Sequence, residues 1–312
     1  MSQPAGRPPV VWLLTDQKPG HRSQLKGLGN RLRVLGGASL HWLDVSDIRV
    51  PAWRALLGLA PRLNLPRPDL IIAAGRQTHR LLLSLRRLRQ ARTLVLMKPS
   101  FPLTWVDGAV IPAHDAVPAR DNILVTEGAL NAVTPMARLT DKPEALVLLG
   151  GPSRHYEWDD DHVLQQLTQL IQTYRDWRWT ISGSRRTPAE LQARLNELAG
   201  PRVTVVDQAR THQDWLSHTL AACRVAWVTP DSASMVYETL TAGLATGLFD
   251  LPSRPQSRVA SGVESLLQNG RVARWPDHAR VMERQAEGPA PLWEADRAAR
   301  WVIERFLGGR AR

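Results

Sequence analysis

Residues 144–151 read Glu-Ala-Leu-Val-Leu-Leu-Gly-Gly and restart a pattern that the chain has already run through once. An apolar run of strand length that stops on glycine is the mark of a parallel strand covered on both faces. The first such run is residues 10–16, Val-Val-Trp-Leu-Leu-Thr-Asp, which stops at Gly20. Leucines at helical spacing follow over 22–35, closed by Gly36-Gly37. Strand-like runs at 39–45, 69–75, 93–98 and 109–112 come next, and the clearest helix among them is 77–88. After residue 151 the alternation returns, with helices at 159–174, 187–198, 213–223, 232–242 and 259–268. Between them lie strands at 178–182, 202–207, 224–229 and 245–250. Strands alternating with helices imply a parallel sheet with helices on both faces. Twelve or so strands are too many for either half alone, so the sequence predicts an α/β protein of two Rossmann-like domains. These are 1–140 and 144–290, joined through the polar, proline-bearing run 134–143. An amphipathic helix over 293–307, set off by a break at 287–291, makes a last segment, 291–312, that need not pack where sequence order would put it.

The chain has 312 residues, room for two domains, and at 43% hydrophobic and 22% charged it reads as a folded globular protein. No run approaches the length of a membrane span, and residues 1–9 lack the apolar core of a signal peptide, so the expected location is cytoplasmic. The single Cys223 excludes an internal disulfide and a cysteine-cluster metal site. The net charge is +11, and only Lys18, Lys26, Lys98 and Lys142 are lysines, so 40 − 4 = 36 of the cations are arginine. Arginine suits phosphate and anionic lipid. A compositional bias that writes arginine for lysine explains the count equally well, and twelve Trp beside three Phe and three Tyr point the same way. Charge alone assigns no partner.

In open parallel sheets ligands bind beyond the carboxyl ends of the strands, where helix N-termini present unpaired amides. Four loops there carry chemistry. The first runs from Thr15 to Gln24, where Pro19-Gly20 forces a turn and His21 and Gln24 open a helix beside Asp16. His21 can act as a base near neutral pH, or it can sit on a solvated turn. The second, residues 107–115, delivers His114 and Asp115 at a strand end, as a dyad or with Asp115 capping local amides.

The third pairs Leu149-Gly150-Gly151-Pro152-Ser153 with Ser182-Gly183-Ser184-Arg185-Arg186-Thr187-Pro188, which offers small residues, two arginines and Thr187 as N-cap before Pro188. Those features suit a pyrophosphate, although neither nucleotide fingerprint, GxGxxG or GxxxxGK[ST], is present. The fourth spans 228–243. Its strand ends at Asp231, Ser232, Ser234 and Met235 open a helix, and Glu238 lies one turn after Ser234 on the same face. A carboxylate there can accept both hydroxyls of a ribose while the helix N-terminus holds its diphosphate; the plainer alternative is a capping box.

Other features are weaker. Asp159-Asp160-Asp161 is better explained by helix-dipole compensation than by a metal, and His212 and His218 read as helix-surface residues. Residues 53–65 are apolar with Arg54 and Arg62, and 79–92 are rich in Leu and Arg. Either stretch could lie on an anionic bilayer, or serve as an ordinary amphipathic core helix.

Taken together, the loops resemble a known family: bacterial proteins related to the plant "elongated mitochondria" fission factor, catalogued as handling nucleoside-diphosphate sugars. The matching residues are Asp16, Gly20, His21 and Gln24; Gly75-Arg76; the 107–115 segment; Leu149-Gly150-Gly151; Ser182, Ser184-Arg185-Arg186-Thr187-Pro188; and Asp231-Ser232, Ser234-Met235 and Glu238. They span nearly the whole chain in order. The family in turn is similar to GT-B glycosyltransferases, whose two Rossmann-like domains face each other across a cleft and whose C-terminal helix crosses back to the first domain.

By this resemblance the second domain would bind the nucleotide sugar. Gly150, Gly151, Ser182, Ser184, Arg185, Arg186, Thr187, Ser234 and Met235 would lie at the diphosphate and Glu238 on the ribose, with Asp231 and Ser232 in the same donor-binding set. The first domain would take the acceptor, a lipid-linked or saccharide glycoconjugate of the cell envelope, with His21, His114 or Asp115 as base. No cofactor and no metal are implied, and no nucleic acid partner is expected. An anionic inner-membrane surface is a further candidate partner, with a peripheral location to match. One departure is Ala245-Thr246-Gly247, where many relatives place proline after the glycine. The alternative function is a catalytically inactive membrane-surface scaffold that keeps the fold.

Overall fold

The computed structural model describes residues 7–208, 211, 214–283 and 290–308. His212, Gln213 at the predicted start of a helix, residues 1–6 of the N-terminal reading and 287–289 of the break lie outside them. The chain forms two compact units, one of Met1–Ala132 together with Trp293–Arg312, the other of Val133–Leu292.

In the first unit, β1 (Val10–Thr15), α1 (Pro19–Gly36), β2 (Ser39–Asp44), α2 (Ala52–Leu57), β3 (Leu70–Ala74), α3 (His79–Leu85), β4 (Arg92–Leu96), β5 (Gly108–Pro112) and β6 (Ile123–Thr126) follow in order. The strands pair in parallel in the order β2-β1-β3-β4-β5-β6. Every residue of β1 is buried, and its side chains divide between two cores as the pleat requires. Val11 and Leu13 join Leu25, Leu28 and Leu32 of α1 on one face, while Val10, Trp12 and Leu14 join Leu81, Leu82 and Leu85 of α3 on the other.

The second unit contains β7 (Glu144–Leu148), α4 (Asp160–Thr173), β8 (Arg178–Ser182), α5 (Ala189–Glu197), β9 (Val203–Val206), α6 (Trp215–Ala222), β10 (Val225–Val228), α7 (Ala233–Ala242), β11 (Ala245–Leu248), α8 (Arg258–Gln268), β12 (Ala273–Arg274) and α9 (His278–Glu283). Its sheet, parallel throughout, runs β12-β11-β10-β7-β8-β9. Asp159 caps α4, accepting from the Asp161 and His162 amides, so the acidic triplet starts a helix. Gly247 of β11 lies where a Cβ would strike the ring of Trp227, a fully buried side chain that packs edge-on to Phe249. Glycine at 247 therefore accommodates a core tryptophan, and nothing in the structure explains the missing proline.

The tail returns to the first unit as α10 (Glu294–Val302). Ala298, Ala299 and Val302 are fully buried with the α1 leucines. Arg31 of α1 donates its Nε to Asp296 at 2.8 Å, and its guanidinium lies 4.3 Å from the Trp293 ring centroid. Small residues on α10 let the two helices approach closely, so its one apolar face is buried against α1 although the two are far apart in sequence.

Several expected boundaries move. The predicted helix 77–88 is a 3₁₀ turn, Arg76–Thr78, followed by the shorter α3. The strand β12 escapes prediction because two residues are too few to show a period, and β6, Ile-Leu-Val-Thr, because it is a short edge strand that does not stop on glycine or lead into helical spacing. Among the described residues no helix is long and apolar enough to cross a membrane.

Candidate functional site

Each sheet reverses its strand order once, and the loops at that point diverge to leave a crevice. In the first unit the reversal lies between β1 and β3, and in the second between β7 and β10. Most of the residues singled out by sequence lie at or next to these two points, and His114 and Asp115 do not.

At the first, Asp16 leaves β1 with its side chain fully buried and receives His21 Nδ1 at 2.8 Å. A carboxylate can only accept, so Nδ1 carries the proton and Nε2 is left as an acceptor, which is the arrangement of an oriented base. The partner loop explains Gly75-Arg76. Gly75 ends β3 at φ +92°, and a Cβ there would collide with the His21 ring and Asp16 Oδ2. Gln17 after β1, Met97 after β4 and Ala116 after β5 also adopt positive φ, at 62°, 68° and 44°. Backbone strain of this kind collects at functional rims. Gln24 is buried and donates to Met97 Sδ at 3.3 Å. Beside them His79 is buried against Ser100 and Phe101, and desolvation, then the charge of Arg76, lowers its pKa.

His114 and Asp115 occupy a 3₁₀ turn after β5, both half-buried, where Lys98 Nζ donates to the Asp115 carbonyl. β5 is three strands from β1, about 14 Å at the usual strand spacing. The two candidate bases thus stand at separate places on one rim. Asp107, in the same segment, is structural: it pairs with Arg92 at 2.8 Å and takes the Thr93 amide and hydroxyl.

At the second crevice much of the expected diphosphate set binds protein. Asp231 corrects its predicted role. Its side chain is wholly buried and faces back, accepting from the Gly151 amide at 3.1 Å and from Arg186 Nη2 at 2.7 Å. Burial raises its pKa against the opposing pull of Thr229, Arg186 and the Gly151 amide. Arg186 also donates to the Gly151 carbonyl at 2.9 Å. Ser184 Oγ donates to the Gly150 carbonyl, Thr229 Oγ1 takes the Gly150 amide, and the buried Ser182 donates to Gly183 O. The expected N-cap Thr187 is displaced by one residue. Pro188 caps α5, and the Thr187 hydroxyl accepts from the Ser184 amide at 2.7 Å. A Cβ on Gly150 would enter the Asp231 carboxylate, and one on Gly151 the Arg186 backbone carbonyl. The two glycines let three loops close on one another.

That clasp yields a prediction. Gly151→Ala should cost about 2–3 kcal/mol by overpacking against backbone, whereas Gly20→Ala, with open space around it, should be neutral or slightly stabilising. Thermal melts of the two variants decide this.

What faces outward is a smaller group. Ser232 is the buried N-cap of α7 and makes no side-chain cap bond. Ser234 is exposed and Met235 half-buried, and the Ala233 and Ser234 amides stand at the first turn without intrahelical partners. Arg185 is exposed with no ion-pair partner among the described residues. Glu238 lies six residues past the N-cap, too far to close a capping box. It is half-buried, makes no hydrogen bond or ion pair among the described residues, and desolvation alone pushes its pKa up to about 7.

Sequence reading missed a pocket of the same unit that reaches Pro230, just before Asp231. About 600 Å³ is lined by Tyr156, Pro230, Phe249, Arg254, Ser257 and Glu264, among others. His155 Nδ1 meets Ser257 Oγ, the N-cap of α8, at 2.9 Å and closes one side. Its lining comes from segments a hundred residues apart with no motif in any of them.

A family-wide sequence profile for "mitochondrial fission ELM1" matches residues 19–306. The chain belongs to the mitochondrial fission ELM1 family. No curated protein matches the sequence. Solved structures do match this ELM1-family chain. A Listeria monocytogenes protein described as a UDP-N-acetylglucosamine 2-epimerase aligns at TM-score 0.61 and 11% identity, covering 95% of this chain and 96% of that one. The Neisseria meningitidis UDP-GlcNAc 2-epimerase bound to UDP-GlcNAc aligns at TM-score 0.55 and 11% identity, covering 96% and 99%. The Methanocaldococcus jannaschii UDP-GlcNAc 2-epimerase gives 0.57 and 12%, covering 95% and 99%. At such identities these likenesses establish the fold: two parallel α/β units of the GT-B type.

Proposed function

We propose that this ELM1-family chain is a glycosyltransferase that moves a sugar from a nucleoside-diphosphate donor to a hydroxyl of a cell-envelope glycoconjugate. The observation that carries the reading is Glu238. An unpartnered, desolvated carboxylate one turn beyond open helix amides is costly to keep and is matched by a ribose diol below a diphosphate. The second unit would bind the donor. The pocket beside Phe249 takes the base, Glu238 the ribose, and the Ala233 and Ser234 amides, Ser234 Oγ and Arg185 the diphosphate. Solved neighbours hold UDP-GlcNAc and UDP, which favours uridine as the first base to try.

In the first unit His21 Nε2 would take the proton of the acceptor hydroxyl as its oxygen forms a bond to the anomeric carbon. The bond from that carbon to the diphosphate breaks, and the departing oxyanion keeps the electron pair. Amides and Arg185 then stabilise the new charge. Asp16 holds the imidazole in the tautomer this requires and stabilises its charged form.

Calorimetric titration with UDP-, GDP- and ADP-linked sugars tests the reading. Binding of one donor that Glu238→Ala weakens by roughly 10²-fold is expected, from two hydrogen bonds to a charged acceptor. Silence across the panel would reject it. Binding without turnover would leave an inert scaffold of the same fold.

A further inference from the structure

The net charge of this chain is not spread over it. Residues 49–106 hold eleven Lys and Arg against the single acid Asp69, a net +10, while the whole chain carries +11. The remaining residues are therefore almost neutral, at 29 cations to 28 acids. A compositional preference for arginine would not sort the acids this way. Asp69 cannot offset the cluster at the surface, because it is buried and holds Arg7 Nη2 at 3.0 Å and the Val10 amide at 2.8 Å.

The same segment exposes apolar side chains. Six of the nine large hydrophobic residues exposed among the described residues lie in it, led by Leu56 at 60%, Trp53 at 55% and Leu57 at 48%. Side-chain contacts join them into one face. Arg86 donates to the carbonyls of Ala55 and Leu56 at the end of α2, and its guanidinium lies 5.3 Å from the Trp105 ring centroid. The aliphatic stem of Arg87 packs on Gly58, between Leu57 and Leu59. Arg54 covers part of Trp53 at 5.5 Å.

We infer that this face of the first unit docks on an anionic lipid bilayer. Charge complementarity selects the partner: apart from Arg92, which pairs with Asp107 just beyond the segment, these cations meet no acid in an ion pair among the described residues, and they attract an anionic surface at roughly fivefold in affinity per cation close to it. Tryptophan and leucine between the arginines then enter the headgroup boundary while the guanidinium heads stay with the phosphates. A nucleic acid would use the cations and leave four leucines in water. The inference is independent of the sugar-transfer reading: Arg76 and Lys98 of the segment border the first crevice, but the docking face is built from Trp53, Arg54, Leu56, Leu57, Arg86, Arg87 and Trp105, none of which does.

The test is sedimentation of the full chain with vesicles of phosphatidylcholine alone or with about one-third phosphatidylglycerol. Binding should require the anionic lipid and weaken as salt rises. Leu56→Glu with Leu57→Glu should reduce it at least tenfold, and Arg54→Glu with Arg89→Glu by at least as much, with melting temperatures unchanged because all four side chains are exposed. Equal binding to both vesicles overturns the inference. So does a leucine variant that binds as wild type, or an RNA oligomer that binds both leucine and wild-type proteins alike and competes with the vesicles.

Discussion

Glu238→Gln should make this protein more stable and worse at binding a nucleoside diphosphate. In the folded chain the Glu238 carboxyl titrates at about 7, raised by desolvation from 4.5. In the unfolded chain it ionises near the lower value, so between the two the folded state holds the extra proton. Stability therefore falls as pH rises through that window and stays low above it. The full shift corresponds to about 3 kcal/mol, and partial exposure of the residue reduces this to about 1–2 kcal/mol. The glutamine variant should gain that amount at about pH 8 and little at about pH 4.5.

Binding moves the other way. Only the ionised carboxylate accepts both ribose hydroxyls, so UDP affinity should climb about tenfold per pH unit up to about 7 and then level off. In the variant it should be weak and flat. Residues that lower stability and raise function in this manner mark sites maintained for a ligand. A wild-type affinity that ignores pH, or a glutamine variant that melts earlier at alkaline pH, would show that Glu238 serves the fold instead.

The fold was open to reading because burial on both faces turns each central strand into a continuous apolar run. Val10–Thr15 and Glu144–Leu148 are legible for that reason. The two-residue β12 carries no such run, and the edge strand β6, Ile-Leu-Val-Thr, carries only a short one that is buried at its ends alone. The site was half legible. Loops at strand ends can be located from order alone, and Glu238 follows from helical spacing. Which way a side chain turns cannot be read from spacing, and this is where Asp231 misled: it and Arg186 have the right chemistry for a phosphate site and use it on each other. Conversely Asp16 lies in the same motif as His21, but its role needed Gly75, sixty residues away, to be seen packing on both. The pocket beside Phe249 has no local sequence signal at all.

The pair at the β1 end supports the second large effect. His21→Gln should lower turnover of the donor, followed as UDP released, by about 10²–10⁴-fold, the usual worth of a positioned base. UDP binding should be unchanged, because the proposed donor residues all belong to the other unit. Asp16→Asn should approach the same loss. An asparagine in the most economical geometry turns its amide toward Nδ1, which drives the proton to Nε2 and leaves no acceptor for the substrate hydroxyl.

Gly75→Ala separates position from chemistry. It alters neither member of the pair, yet at φ +92° with a Cβ driven into the imidazole it must push His21 away from Asp16. Turnover should fall by roughly 10²-fold, since a shift of about 1 Å in a reacting group has that consequence. His114→Ala, three strands along the rim, should change turnover by less than about threefold. If His114→Ala proves the crippling substitution while His21→Gln and Gly75→Ala turn over normally, the base lies at the end of β5, and the buried Asp16 serves only to fasten the first turn of α1.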